Sequence, residues 1–244
     1  MKIALCFSGK LGEWEQAKDS ILENILIPLK PDIFLFTWES ENYNKFIKFY
    51  KPLRFSILDY KRYESQMHYQ SINAWQGLKP MTFGMMKSFN VLNDYMKASS
   101  KEYDLVIRLR PDLQVDDRIK NHEIKDSISR KHVKLPFYEG LKVYDHEEEL
   151  KKDIAFSFVY EKAILPDQIN DQIAIGPVET MSKYMNAFYK IEDTIEFMWM
   201  EGYPEYMCKV PESILTMFLR MNNIKYSPLT GSSKFGYLKT KLIK

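Results

Sequence analysis

Apolar residues along this chain follow two rhythms. Ile3-Ala4-Leu5-Cys6-Phe7 is an unbroken apolar run that stops at Ser8-Gly9-Lys10, and Ile33-Phe34-Leu35-Phe36-Thr37-Trp38 is a second. Short continuous runs bounded by turn residues predict strands covered on both faces. Between them Ala17, Ile21, Leu22, Ile25, Leu26 and Leu29 recur at helical spacing, and Pro28 and Pro31 close the segment. Strand, helix and strand in succession predict a right-handed βαβ unit. Arg54–Leu58 predicts a third strand, and the polar, aromatic-rich stretch 59–79 carries no assignable period.

The helical rhythm returns at Met85, Met86, Phe89, Leu92, Tyr95 and Met96, a face that reads as core packing. Residues 103–109 predict a strand that runs straight into Arg110-Pro111-Asp112. Residues 116–152 are heavily charged and hold three of the four histidines, which predicts surface loops and short edge elements. The cluster His146-Glu147-Glu148-Glu149 within them reads as a solvated face rather than a ligand set. Asp171-Gln172-Ile173-Ala174-Ile175-Gly176 predicts a short strand, and Met181, Tyr184, Met185 and Phe188 a helix after it. Pro211-Glu212 opens a last helix, with Ile214, Leu215, Phe218 and Leu219 as its apolar stripe. The fold class expected is α/β, one domain with a mostly parallel central sheet flanked by helices. Its halves are 1–115 and 116–244, the second more irregular and helix-richer.

Composition narrows the picture. In 244 residues there are 16 Tyr, 15 Phe, 13 Met and 4 Trp, which excludes a disordered chain. With 35 basic against 33 acidic residues the net charge is +2, so nothing electrostatic points to nucleic acid as a partner. Two cysteines, Cys6 and Cys208, make no disulfide scaffold, and neither CxxC nor HExxH occurs, so no structural zinc site is expected. The apolar stretch before Ser8-Gly9 is shorter than a signal segment needs, so none is expected, and no run of ~18 apolar residues occurs. The expectation is a cytoplasmic protein without a transmembrane segment.

Ligands of open α/β sheets bind beyond the carboxyl ends of the strands. Three polar segments fall there: Ser8-Gly9-Lys10, Thr37-Trp38-Glu39 and Arg110-Pro111-Asp112. The first lacks the glycines of a dinucleotide fingerprint or a P-loop, and an ordinary tight turn is its plain alternative. Asp112 beside Arg110 suits a divalent ion bridging phosphates, or else a surface Arg–Asp ion pair. Asp104 reads as a structural residue opening its strand, and Glu212 as an acid favoured at a helix start.

Taken in order, residues 3–9 with Trp14, 32–38, 103–113, 171–176 with Met181 and Tyr184, and Pro211-Glu212 with Leu215 and Leu219 resemble small GT-A-type nucleotide-sugar glycosyltransferases of bacterial polysaccharide loci and large DNA viruses. The resemblance runs from residue 3 to about residue 225. It implies a GT-A-like (Rossmann-like) fold and a hexosyl- or deoxyhexosyltransferase that uses a UDP- or GDP-linked donor and a glycan acceptor. By this likeness Asp112 holds Mn²⁺ or Mg²⁺, and Arg110 contacts phosphate or sugar. Ser8, Gly9, Lys10, Thr37 and Trp38 flank the nucleotide, and Gln172 sits beside Asp171. Asp171 is the catalytic residue, a general base toward the acceptor. The chain departs from the pattern at Gly12, where related sequences often have Arg, and at Arg110, where Asp-x-Asp has its first acid.

Two other readings stand beside this one. A non-catalytic nucleotide-sugar or carbohydrate-binding protein would keep the fold without turnover. The lysines from Lys234 onward, interleaved with Phe235, Tyr237, Leu238, Leu242 and Ile243, would allow peripheral contact with anionic lipid, or form a solvated or core-packed terminus.

Overall fold

The computed structural model describes residues 1–40, 42–62, 80–136, 169–203, 207–229 and 240–242. Seven strands form the main sheet in the order β3-β2-β1-β4-β7-β6-β8: β1 Ile3–Ser8, β2 Asp32–Trp38, β3 Arg54–Leu58, β4 Leu105–Leu109, β6 Val133–Leu135, β7 Ile173–Pro177 and β8 Tyr226–Pro228. The strands β3, β2, β1 and β4 are mutually parallel, and β7 alone runs against its neighbours. The three longest apolar runs of the sequence thus lie side by side as parallel central strands. This is an α/β single domain with a mostly parallel sheet, as the hydrophobic pattern predicts.

Side chains alternate across these strands, so each builds two cores. On one face Ile3, Leu5, Phe7, Leu35, Leu105 and Ile107 meet Trp14, Ala17, Ile21 and Ile25. Those four come from α1 (Trp14–Ile21) and the π-helical turn Leu22–Leu26 that prolongs it to Leu29. Helix α2 (Tyr43–Tyr50) adds Phe46 and Tyr50, and the Phe7, Trp14, Phe46 and Tyr50 rings lie 4.4–5.8 Å apart in edge-on and tilted pairs. On the other face Ala4, Cys6, Phe34, Phe36 and Val106 pack on α3 (Pro80–Lys97). Helix α3 presents Met86, Phe89, Leu92 and Met96, so its methionine face is core, as expected. Cys6 and Cys208 are both free and buried.

The charged region after residue 116 departs from expectation. It holds α4 (Asn121–Arg130) and the buried strand β6, which lies between β7 and β8 inside the sheet and not at an edge. An ion cluster joins the two, with Lys134 and Glu123 buried and Asp126 partly exposed. Lys134 of β6 is 7% exposed, and its Nζ lies 2.6 Å from Asp126 and 3.2 Å from Glu123 on α4. Charge that reads as solvated in one dimension is here pointed inward and paired. The His146–Glu149 cluster and residues 59–79 past Arg62 lie outside the described residues.

Helices α5 (Val178–Met185), α6 (Ile191–Met200) and α7 (Pro211–Met221) complete the second core. Of the basic terminus, Thr240–Leu242 is described. It forms β9, paired antiparallel with β5 (Leu113–Val115), so this part of the tail is neither a free end nor a helix. Among the described residues no helix is long and apolar enough to cross a membrane.

Candidate active site

Strands β1, β2 and β4 are parallel, so Ser8, Trp38 and Arg110 all arrive at one edge of the sheet. Strand β7 is antiparallel, and the pairing of Leu109 with Ile173 brings its start to the same edge. The Arg110 N–H donates to the Gln172 carbonyl at 3.1 Å. Arg110-Pro111-Asp112 and Asp171-Gln172, 59 positions apart from 112 to 171 in the chain, therefore share one small region.

Asp112 is 5% exposed. Its two carboxylate oxygens accept from Arg110 Nε at 3.1 Å and Nη2 at 3.0 Å, a bidentate pair. Burial works against the Arg110 charge, but the Asp112 hydrogen bond and carboxylate, with Asp171 and Glu212 behind them, hold its pKa above the usual value. Gly12 closes the pocket on the other side. Its φ is +49°, and a Cβ there would stand 2.8 Å from Asp112 Oδ2. A side chain at this position would collide with the carboxylate, so the absence of an Arg at position 12 is what lets the β1–α1 loop pass over Asp112.

A divalent ion is implied at this place by the fold family. The donor chemistry seen here does not fit one, because both Asp112 oxygens are committed to a guanidinium. No group of three or more His, Cys, Asp or Glu suited to a metal occurs among the described residues.

Arg108 was hidden in the apolar strand Leu105–Leu109 and is the residue sequence reasoning missed. It is 1% exposed, its Nε donates to Ser8 Oγ at 2.5 Å, and its guanidinium lies 4.3 Å from the Phe89 ring centroid. Among the described residues its Nη1 has no hydrogen-bond partner, and neither does the Tyr184 hydroxyl, which is also fully buried. Burial lowers the Arg108 pKa, with Tyr184 and Asp171 working to keep its charge. The available signal was an arginine inside an otherwise apolar run, since a buried charge is costly unless something uses it.

The remaining candidates divide. Ser8 is fully buried under Arg108, and so belongs to the Arg110–Asp112–Asp171 group. Gly9, with φ +114° and open space where a Cβ would stand, turns the chain over the sheet edge. Lys10 and Trp38 form a separate cluster through Tyr60, a residue the sequence did not flag. Lys10 Nζ is 5.3 Å from the Tyr60 ring centroid, and the Trp38 and Tyr60 rings meet edge to face at 5.2 Å. Thr37 is wholly buried, its hydroxyl donating to the Trp38 carbonyl. Asp104 is at the opposite end of β4, accepting from the Lys2 N–H at 2.7 Å, which is the structural role expected.

Glu212 is more than a helix-start acid. The Thr216 hydroxyl donates to the Glu212 carbonyl at 2.7 Å and accepts from the Ile169 N–H at 3.2 Å, which pins the first turn of α7 to the segment leading into Asp171. Burial, then the Asp171 charge, pushes the Glu212 carboxyl up to about 7, with Arg110 opposing.

No family model and no curated protein matches this sequence. Solved structures do. An active-site mutant of LgtC is 11% identical over 93% of this chain and 72% of its own, with a TM-score of 0.50. The galactosyltransferase LgtC in complex with donor and acceptor sugar analogs gives 12%, 93%, 73% and 0.49. Mouse xyloside xylosyltransferase 1, in its apo form, gives 13%, 94%, 85% and 0.47. At these identities the likeness concerns the fold, and the fold is of the GT-A type.

Proposed function

We propose that this chain is a glycosyltransferase that moves a hexosyl or deoxyhexosyl group from a UDP- or GDP-linked donor to a glycan acceptor. The observation that carries this reading is the meeting of Arg110–Asp112 with Asp171 at the carboxyl edge of a GT-A-type sheet. Arg110, with Arg108 beneath it, supplies positive charge where a diphosphate leaving group gathers negative charge. Gly9 lets the backbone approach a nucleotide, and the Lys10–Tyr60–Trp38 cluster offers aromatic faces beside it. Residues 1–115 take the nucleotide and residues 116–244 the acceptor side. The Asp171–Glu212 carboxylates receive the proton of the acceptor hydroxyl as its oxygen bonds the anomeric carbon.

The test is a thermal-shift and turnover screen with UDP, GDP, CMP and their sugars, in Mn²⁺ and in chelator. A nucleotide at 100 times its Kd stabilises by about 2.7 kcal/mol, a readily visible shift. Stabilisation by UDP or GDP, with release of the diphosphate from its sugar, is expected. Because Arg110 occupies Asp112, the shift should persist in chelator. A shift seen only with Mn²⁺ would mean that Arg110 gives way and Asp112 turns to the ion. Binding without turnover would favour a carbohydrate-binding protein of the same fold, and no shift with any nucleotide would end the reading.

A further inference from the structure

The turn that carries Arg110 and Asp112 is anchored at its first end, where the Arg110 N–H donates to the Gln172 carbonyl. It closes on itself, with the Leu113 N–H donating to the Arg110 carbonyl at 3.3 Å. Beyond it comes β5, a three-residue strand outside the seven-stranded sheet. Leu113 and Val115 are fully buried, which presses β5 onto α1. Apolar contact is non-directional, however, and does not fix the register of a strand.

Hydrogen bonds fix it, from both edges. On one edge Ser20 Oγ accepts from the Val115 N–H at 3.0 Å, and Asn24 Nδ2 donates to the Val115 carbonyl at 2.7 Å. Both backbone polar groups of Val115 therefore face the first helix. Asn24 lies in the π-helical turn Leu22–Leu26, a rare geometry that recurs at functional sites. On the other edge is β9, with Leu113 opposite Leu242, Gln114 opposite Lys241 and Val115 opposite Thr240. Opposed residues of an antiparallel pair alternate between exchanging both N–H···O bonds and exchanging none. Val115 has turned to the helix, so Gln114 and Lys241 are the pair that exchanges bonds.

We infer that this double mount serves the site: Asn24, and Lys241 through its backbone, are positioning residues that keep Asp112 on Arg110 and beneath Gly12. The inference rests on the glycosyl-transfer reading above. The tolerance is small. Asp112 makes bonds of 3.0 and 3.1 Å to one guanidinium, and a Cβ on Gly12 would stand 2.8 Å from Oδ2. Arg110 is fixed separately, through Gln172, and would not follow a slide of β5. Such a slide parts the carboxylate from the guanidinium or drives it into the loop. Arg110 then loses the partner that orients its fork toward a diphosphate. The loop over Asp112 leads directly into α1, so one helix sets both the cover of Asp112 and the strand behind it.

The experiment uses the full-length chain with three substitutions. Lys241→Pro deletes the N–H that donates to the Gln114 carbonyl, Lys241→Ala keeps it, and Asn24→Ala removes the bond to Val115. Release of UDP or GDP from UDP-glucose, UDP-galactose and GDP-mannose gives kcat and KM. Calorimetry with UDP and GDP gives affinity, and melting temperature reports stability. A displacement of about 1 Å can cost 10²-fold in rate, so Lys241→Pro and Asn24→Ala should each lose at least about tenfold in kcat. Lys241→Ala should stay within about twofold of wild type. A merely structural pairing would lower the melting temperature and leave kcat, measured well below it, unchanged. That result overturns the inference. Equal losses in Lys241→Ala and Lys241→Pro overturn it too, because the side chain and not the ladder would then be at work. If Lys241→Pro does not fold, Asn24→Ala decides, and a normal kcat there ends the claim. Wild type that neither binds nor releases any nucleotide fails the glycosyl-transfer reading itself, and this inference with it.

Discussion

At the scale of single residues, Arg108 is where chemistry overrides packing. An arginine at the centre of a parallel sheet, bonded to Ser8 yet with one nitrogen unpartnered, is poorly explained by stability. Replacing a buried charge with an apolar side chain of similar length is often neutral or stabilising. Arg108→Met is therefore expected to unfold in urea within about 1 kcal/mol of wild type, or later. Its affinity for UDP or GDP should fall at least about tenfold, the equivalent of ~1.4 kcal/mol, because the charge under Arg110 is gone. Calorimetry beside urea melts checks both halves. A variant that loses stability and keeps affinity would make Arg108 a structural residue. Gly12 illustrates the opposite economy, since the lack of any side chain is what brings the loop against Asp112.

At the scale of elements, helix ends show strain unrelated to the site. Helix α2 ends at Lys51 and α4 at Lys131, with φ of +48° and +54°, and Lys30 after the final turn of the first helix has +47°. These are left-handed caps, which glycine fills without a Cβ penalty. Lys51→Gly should stabilise the protein by about 1 kcal/mol and leave nucleotide binding unchanged, measured by urea unfolding and calorimetry. Lys51 sits after α2, whose Phe46 and Tyr50 pack on the sheet face away from α3, so an effect on activity would be unexpected. Strand β9 makes a related point: its residues belong to a lysine-rich terminus, yet they pair with β5, which directly follows Asp112.

For the whole molecule, stability should be bounded by pH on both sides, by different layers. Burial, with Lys225, Lys134 and Arg130 adding to it, lowers the His132 pKa below its ordinary 6.5. The unfolded chain then binds the proton more readily, so this contribution is present above 6.5 and lost as pH falls below it. Hydrogen bonding and charge from Lys134 lower Asp126 below 3.8, and that contribution is lost in acid below this value. Glu212, raised to about 7 chiefly by burial, has the opposite sign: its contribution is present below 4.5 and lost as pH rises toward 7. Between about pH 4.5 and 6.5 the His132 and Glu212 contributions change in opposite directions, so melting temperature should change little there, fall toward pH 7 as the Glu212 contribution goes, and fall below 3.8 as that of Asp126 goes. His132→Gln should remove the loss below pH 6.5, so its melting temperature should rise on going from pH 6.5 to 5, with the side above pH 7 untouched. Melting curves across pH 3–8 decide this, and an unchanged acid side in His132→Gln would remove His132 from the account.

The sequence by itself determined the strands β1, β2 and β4 and the helices α1 and α3, because an unbroken apolar run or a 3.6-residue stripe records which faces are covered. It also located the sheet-edge segments around Ser8, Arg110 and Asp171, since polar residues that stop an apolar strand mark where the chain leaves the core. It could not show that β7 runs antiparallel to β4, and that reversal is what places Asp171 beside Arg110. It misread the charged segment after residue 116, because periodicity does not say that Lys134, Glu123 and Asp126 face one another inside the fold. Arg108, Gly12 and Glu212 were legible only as a flaw in a strand, a missing side chain and a helix start. Their meaning depends on who stands opposite, a long-range contact that tertiary structure alone supplies.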